Sequence, residues 1–407
     1  MMTGSESDQS SSKGAKAGVL SWVLAAIAPV VPILMLAESW GRFRGKVSDF
    51  PEYYTASWLC LHGQAIDLYQ LDRLGAVQHQ LFPGLARDVV LFLLPPPAVL
   101  FVTPLSLLPP DVAFVAWLLF IAFMLALALL VLAKMFQLSS KAVLYTIAVM
   151  SVSGAVFECL KLGQIAPLLL LAYSLGLFCE SSGRPVLSGL AYSLLLIKPQ
   201  FLLPVLVAGM AGKRYRCLTA LFLSALFMTA VSLLLLGIAG WQKYFELTKA
   251  ALARPELVAT GINATLRGQL LRFWGSESLI VEPLFWLIWA LSILLLYLAL
   301  RGRRPERAIL ISMPVAFLLA PYAQSYDLIL LLPSILCFVK HRLYRSLPVW
   351  IVMPYLVACA FLLLPFHSFY HYGYLLPGGS VNLAFYLVLV YIAFVLAGER
   401  PIVASDA

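Results

Sequence analysis

Charge is scarce in this chain: only 12% of its 407 residues are Asp, Glu, Lys or Arg, against 62% apolar residues and a mean hydropathy of +0.93. So few charges cannot cover that much hydrocarbon in water, which excludes a soluble fold. Cysteine is also sparse. Six cysteines stand singly at Cys60, Cys159, Cys179, Cys217, Cys337 and Cys359, with no CxxC, and suggest neither a disulfide framework nor a zinc site. There is no Walker loop and no dinucleotide fingerprint, so a nucleotide-driven pump or a cytoplasmic nucleotide-sugar enzyme gains no support. Duplicated halves at a fixed period are missing too, which counts against the inverted repeats of many transporters.

What is present is a succession of apolar runs from Val19 almost to the C-terminus, each of about 18 to 25 residues and able to cross roughly 30 Å of hydrocarbon as a helix. The alternation of a membrane barrel does not occur, so an all-α integral membrane protein of about twelve membrane segments is expected. The formal charge of +9 sits in short clusters between runs, and these read as topology signals rather than a nucleic-acid surface. Gly212–Arg216, Arg301–Arg307 and Lys340–Arg345 are placed inside by the positive-inside rule, with segments near 217–240, 282–300, 308–325, 326–340, 346–364 and 382–398 around them. Residues 1–17 are expected to form a disordered cytoplasmic head and 18–37 a retained anchor. One polytopic domain follows to residue 399, with a cytoplasmic tail at 400–407. Its long first outer loop, 38–88, is expected to carry interfacial helices, and 241–281 forms a second large outer loop. The Pro-rich stretch 91–108 either crosses or only dips into the membrane, and 186–211 reads as two short helices meeting at Lys198–Gln200.

Several polar residues stand where they could carry chemistry. Asp49 and Glu52 lie beyond the first span, and a partly desolvated carboxylate there can take a proton from an acceptor hydroxyl. A solvated charge beside a helix end fits the same pattern, and spacing does not rank the pair. Glu158, Lys161 and Gln164 reach the same side, as do Lys198 and Gln200, and ionisable groups at the edge of spans tend to find partners or line cavities. Lys198, just before Pro199, reads as a phosphate contact or as a snorkelling lysine. In the 241–281 loop, Trp241, Lys243, Tyr244, Asn263, Arg267, Gln269 and Arg272 offer contacts to phosphate, sugar or lipid headgroups. Tyr322, Gln324, Tyr326 and Asp327 interrupt two apolar runs, as a substrate contact or as a hydrogen-bonded helix boundary. His367 and His371 lack a third metal ligand, and interfacial anchoring with Phe369, Tyr370, Tyr372 and Tyr374 suits them better.

Six blocks occur in order: Asp49–Tyr54 (DFPEYY), Leu61–Tyr69 (LHGQAIDLY), Leu93–Pro109 (LLPPPAVLFVTPLSLLP), Leu162–Gly176 (LGQIAPLLLLAYSLG), Leu196–Pro204 (LIKPQFLLP) and Pro321–Pro333 (PYAQSYDLILLLP). This ordered set resembles glycosyltransferase family 87, polytopic enzymes of the GT-C fold that include polyprenyl-phosphate-mannose-dependent α-mannosyltransferases. The resemblance implies inverting transfer of a hexose, by family default mannose, from a polyprenyl-phosphate donor to a hydroxyl of a lipid or glycan. It places the reaction at the outer face of the plasma membrane, with no cofactor and no required metal. It puts the catalytic aspartate at Asp49. Substrate contacts are expected from Glu52, Tyr53, Lys161, Gln164, Lys198, Gln200, Arg267, Tyr322, Gln324 and Asp327. Two departures stand out: Leu94 where relatives offer a tyrosine, and Gln324 where relatives often carry a histidine. A transporter or flippase of a lipid-linked substrate, or a non-catalytic envelope assembly subunit, are the rival readings.

Overall fold

The computed structural model describes residues 33–34, 36–44, 48–151, 153–254, 265–275, 279–301, 313–317 and 319–340. Expectations for the N-terminal head and most of the anchor, Asn263, most of Arg301–Arg307, the Lys340–Arg345 cluster beyond its first residue, the last two segments, His367, His371 and the tail lie outside the described residues.

Every regular element among the described residues is a helix. Three are long and apolar enough to cross a membrane: Pro110–Met135, Tyr215–Leu252 and Val281–Leu300. The pair Ser140–Ser151 and Gly154–Leu162, bent by 58°, supplies a fourth if it counts as one span. Their outer faces carry Leu119, Phe123 and Leu130 on the first helix, Phe222, Phe227 and Leu234 on the second, and Trp286, Leu287 and Leu294 on the third, all exposed. Hydrocarbon is the solvent that suits such faces, and the chain is a membrane protein. The other apolar helices, among them Ala166–Ser181, Pro185–Ile197 and Pro199–Ala211, are shorter than a perpendicular crossing requires.

Proline sets many of the starts. Pro51, Pro110, Pro167, Pro185 and Pro204 each stand in the first turn of a helix, where the missing N–H leaves no bond unmade. The same residue type fragments 91–108 into the short turns Pro96–Ala98, Val99–Val102 and Thr103–Leu107. The 241–281 segment is helical in large part. After a break at Gly237 the helical backbone runs through Trp241 and Tyr244 to Leu252, and Leu266–Trp274 is helical as well. The Lys243–Glu246 pair at 3.0 Å, one turn apart, supports helix in a stretch whose polarity looked like loop.

The long segment after residue 44 folds into Phe50–Leu61, Ala65–Tyr69 and Leu71–Leu81. Phe50–Leu61 is pinned over the Pro-rich stretch: Ser57 donates to Ser106 and Tyr54 donates to the Leu108 carbonyl, while Tyr69 donates to that of Leu94. Aromatic contacts hold it to Pro110–Met135, with Phe50 on Phe114 at 5.2 Å and Tyr53 on Trp117 at 5.2 Å.

Candidate active site

Asp49 immediately precedes Phe50–Leu61, and its N–H donates to the Leu162 carbonyl at 3.2 Å. Ser48 Oγ donates to the same carbonyl at 3.2 Å, so the chain before the helix is fastened to the end of Gly154–Leu162. That helix stops at Gly163, whose φ of 75° is left-handed and favours glycine. The Gly163 carbonyl accepts from Trp117 Nε1 at 2.6 Å, and the turn delivers Gln164 to Asp49.

Gln164 Nε2 donates to Asp49 Oδ2 at 2.9 Å, and its Oε1 accepts from the Tyr53 hydroxyl at 2.8 Å. Tyr53, fully buried, thereby occupies the oxygen of the amide and leaves its NH2 to the carboxylate. Asp49 Oδ1 accepts from Arg87 Nη1 at 2.8 Å. Asp49 keeps 14% of its side chain exposed and Arg87 keeps 50%, so this pair stands at the rim of the group while Tyr53 and Gln164 lie inside it.

Glu52, one turn on from Asp49, is buried. Burial raises its carboxyl well above the ordinary carboxylate range, and the Asp49 charge adds in the same direction. The Tyr53 hydroxyl and the charges of Lys198 and Arg87 oppose that rise without cancelling it. Glu52 is thus pushed towards the neutral acid, one turn from the Asp49–Arg87 pair.

Lys198 caps the break between Leu194–Ile197 and Pro199–Phe201, in extended backbone before the proline. Its Nζ donates to Asp327 Oδ1 at 2.7 Å and lies 4.7 Å from the centre of the Tyr326 ring. Asp327 Oδ2 accepts the Gln324 N–H at 3.1 Å, and the Asp327 N–H donates to the Gln324 carbonyl at 3.0 Å, at the start of Ser325–Leu331. Gln200 Nε2 donates to the Tyr322 carbonyl at 3.2 Å, and Gln324 Nε2 to the Tyr322 hydroxyl. The two polar interruptions, 198–200 and 321–327, are therefore laced together. Gln324 Oε1 is buried without a hydrogen-bond partner, and turning the amide over would orphan its nitrogen instead. Asp49, Glu52 and Asp327 all act electrostatically on Tyr322, which joins the two halves of the cluster.

The structure thus groups Asp49, Glu52, Tyr53 and Gln164 beside Lys198, Gln200, Tyr322, Gln324 and Asp327. It pairs the other two candidates elsewhere. Lys161 is held by Glu158 at 2.5 Å and over the Phe157 ring, where Arg42 and Glu38 are its charged neighbours. Arg267 binds Glu282 and, at 3.3 Å, the Leu252 carbonyl. Arg87 escaped the sequence reading. Its partner is 38 residues away, and Arg42, Arg44, Lys46 and Arg73 share the same 38–88 segment, so nothing local singled it out.

The family model for glycosyltransferase family 87 matches residues 92–321. This span contains Gln164, Lys198 and Gln200 and ends before Tyr322, while Asp49, Glu52 and Arg87 precede it. No curated protein and no solved structure gives a significant match. With more than half of its length matched, the chain belongs to glycosyltransferase family 87 and is a membrane glycosyltransferase.

Proposed function

We propose that the chain transfers a hexose, mannose by family default, from a polyprenyl-phosphate donor to a hydroxyl of a lipid or glycan acceptor, with inversion and with Asp49 as general base. The observation that carries this reading is the Asp49 carboxylate itself, oriented by Gln164, partly exposed, and set against a buried polar cluster rather than dissolved in water. In the reaction the acceptor O–H gives its proton to Asp49 as its oxygen forms the bond to C1 of the sugar. The C1–O bond to phosphate breaks on the opposite face, and the electron pair leaves with the phosphate. A single in-line displacement inverts the anomeric centre.

Gln164 and Tyr53 act as positioning residues in this scheme, since they fix the carboxylate without needing to touch substrate. Glu52, Gln200, Tyr322 and Gln324 are the sugar-facing candidates, and the open polar atom of Gln324 is the kind of group a sugar hydroxyl would satisfy. Lys198, held by Asp327, lends its charge to the site from behind. Lys161 and Arg267 would serve the substrates only by leaving their present partners. The donor's long hydrocarbon tail fits entry from the bilayer. The proposed setting is the plasma (inner) membrane with the site on its outer face, both termini cytoplasmic and a single catalytic domain over 18–399.

The test is transfer of label from polyprenyl-phosphate mannose into an envelope lipid extract by purified protein in lipid. Asp49→Asn, shown to be folded by its melting curve, should lose at least about a hundredfold in rate. Equal transfer by the variant would remove Asp49 from the mechanism. No transfer by wild type with any polyprenyl-phosphate sugar would overturn the reading.

A further inference from the structure

Asp49 meets a conflict as the chain stands. Both carboxylate oxygens are engaged, Oδ2 by Gln164 and Oδ1 by Arg87. Gln164 is a neutral donor and only orients the group. Arg87 is a full cation on the oxygen left for an incoming hydroxyl, and it fills the position from which that hydroxyl would donate.

Two cations, Lys198 and Arg87, act on the neighbouring Glu52, and they differ in their freedom. Lys198 and Asp327 keep 9% and 1% of their side chains exposed, and the pair is further tied by Tyr326 and the Gln324 N–H. Releasing Lys198 would strand a buried carboxylate. Arg87 is half exposed, and an ion pair of that kind contributes little to stability, so it can change partner readily. Its backbone stays in place meanwhile. Gln78 clamps Val90 from both sides, donating to its carbonyl and accepting its N–H, each at 2.8 Å, and His79 binds the Asp88 carbonyl at 3.0 Å. A fixed backbone with a long mobile guanidinium beside a carboxylate is built for exchange between two anions.

We infer that Arg87 is a hand-over residue: it caps Asp49 while the site is empty and moves to the phosphate of the arriving donor, which uncovers Oδ1 for the acceptor hydroxyl. The guanidinium forms a two-pronged bond to phosphate oxygens as readily as to a carboxylate. Donor binding then switches on the base, and the acceptor is activated only once a leaving group is seated. The inference rests on the proposed transfer from a phosphate-linked donor and adds how that donor is sensed.

The two claims can be separated by binding alone. A short-chain polyprenyl phosphate is titrated onto the full chain in phosphatidylcholine nanodiscs, for wild type, Arg87→Gln, Arg87→Lys, Asp49→Asn and the Arg87→Gln/Asp49→Asn double variant. Arg87→Gln should weaken binding about ten- to hundredfold, with Arg87→Lys in between. Asp49→Asn should tighten it about fivefold or more, because Arg87 is released from its competing anion, and that gain should vanish in the double variant. A merely structural Arg87 would give no such coupling. Unchanged affinity in Asp49→Asn, or the same gain in the double variant, overturns the hand-over while leaving wild-type transfer intact. Failure of wild type to bind overturns it together with the proposed function. Parallel titrations use inorganic phosphate and discs containing phosphatidylglycerol. The same coupling with either of these at comparable strength would assign the cation to that anion and overturn its role in donor sensing.

Discussion

Replacing Lys198 with methionine would leave the Asp327 carboxylate at 1% side-chain exposure without its ammonium partner. Removing one member of a buried pair typically destabilises by about 3–5 kcal/mol, because the remaining charge keeps its desolvation penalty and loses its compensation. The lower end is expected here, about 3 kcal/mol, since Asp327 Oδ2 would still accept the Gln324 N–H. Lys198→Met also gives up the contact with the Tyr326 ring, which adds a fraction of that amount. The double variant Lys198→Met/Asp327→Asn removes both charges and keeps an oxygen for the Gln324 N–H, so it should recover more than half of the loss. Denaturant unfolding in detergent, followed by tryptophan fluorescence, reads wild type and both variants. Lys198→Met within about 1 kcal/mol of wild type, or a double variant no better than the single, would refute a structural pair. If Lys198→Met spared stability but weakened lipid-phosphate binding, the ammonium would be a donor contact instead.

Two other perturbations follow from the geometry of the carboxyl pair. Glu52 binds its proton more tightly folded than unfolded, through burial and then the Asp49 charge, so above about pH 4.5 the folded state retains a proton that the unfolded state releases. Stability therefore falls as pH rises towards the folded value, and Glu52→Gln should flatten that decline in melting curves taken across about pH 5 to 8; identical slopes would refute it. Gly163→Ala forces a side chain into φ 75° beside Trp117 and Phe50. It should destabilise by about 1–2 kcal/mol and cut transfer by displacing Gln164, whereas a variant with wild-type stability and rate would show that the turn is not held as described.

Local pattern made part of this structure legible. The apolar run expected at 282–300 is the helix Val281–Leu300, and the proline after Lys198 marks the observed break. Helix ends were harder. Trp241, Lys243 and Tyr244 read as an outer loop, and the backbone there is helical after a break at Gly237, because polarity alone does not end a helix. The charged members of the polar cluster stand out in sequence by their chemistry, as with Asp49, Lys198 and Asp327. Their pairing was not legible: Gln164 meets Asp49 across 115 residues and Lys198 meets Asp327 across 129, separations that leave no periodic trace in sequence. Lys161 is the opposite case, since its partner Glu158 is three residues away and the helical spacing alone predicts the contact.

The interrupted helix Tyr215–Leu252 has a mechanical consequence. From Tyr215 to Leu236 it is roughly 33 Å long, about one hydrocarbon thickness, and there Gly237 takes φ 66° and ψ 176°, a conformation reserved for glycine. Beyond it Tyr244 packs edge-on against Tyr69, in the same folded segment that presents Asp49. A span tilts when the bilayer thins or thickens, and a stiff rod of this length would drag that segment along with it. The joint at Gly237 sets the direction of the second half separately from the first, so the contact with Tyr69 does not depend on the angle at which Tyr215–Leu236 stands.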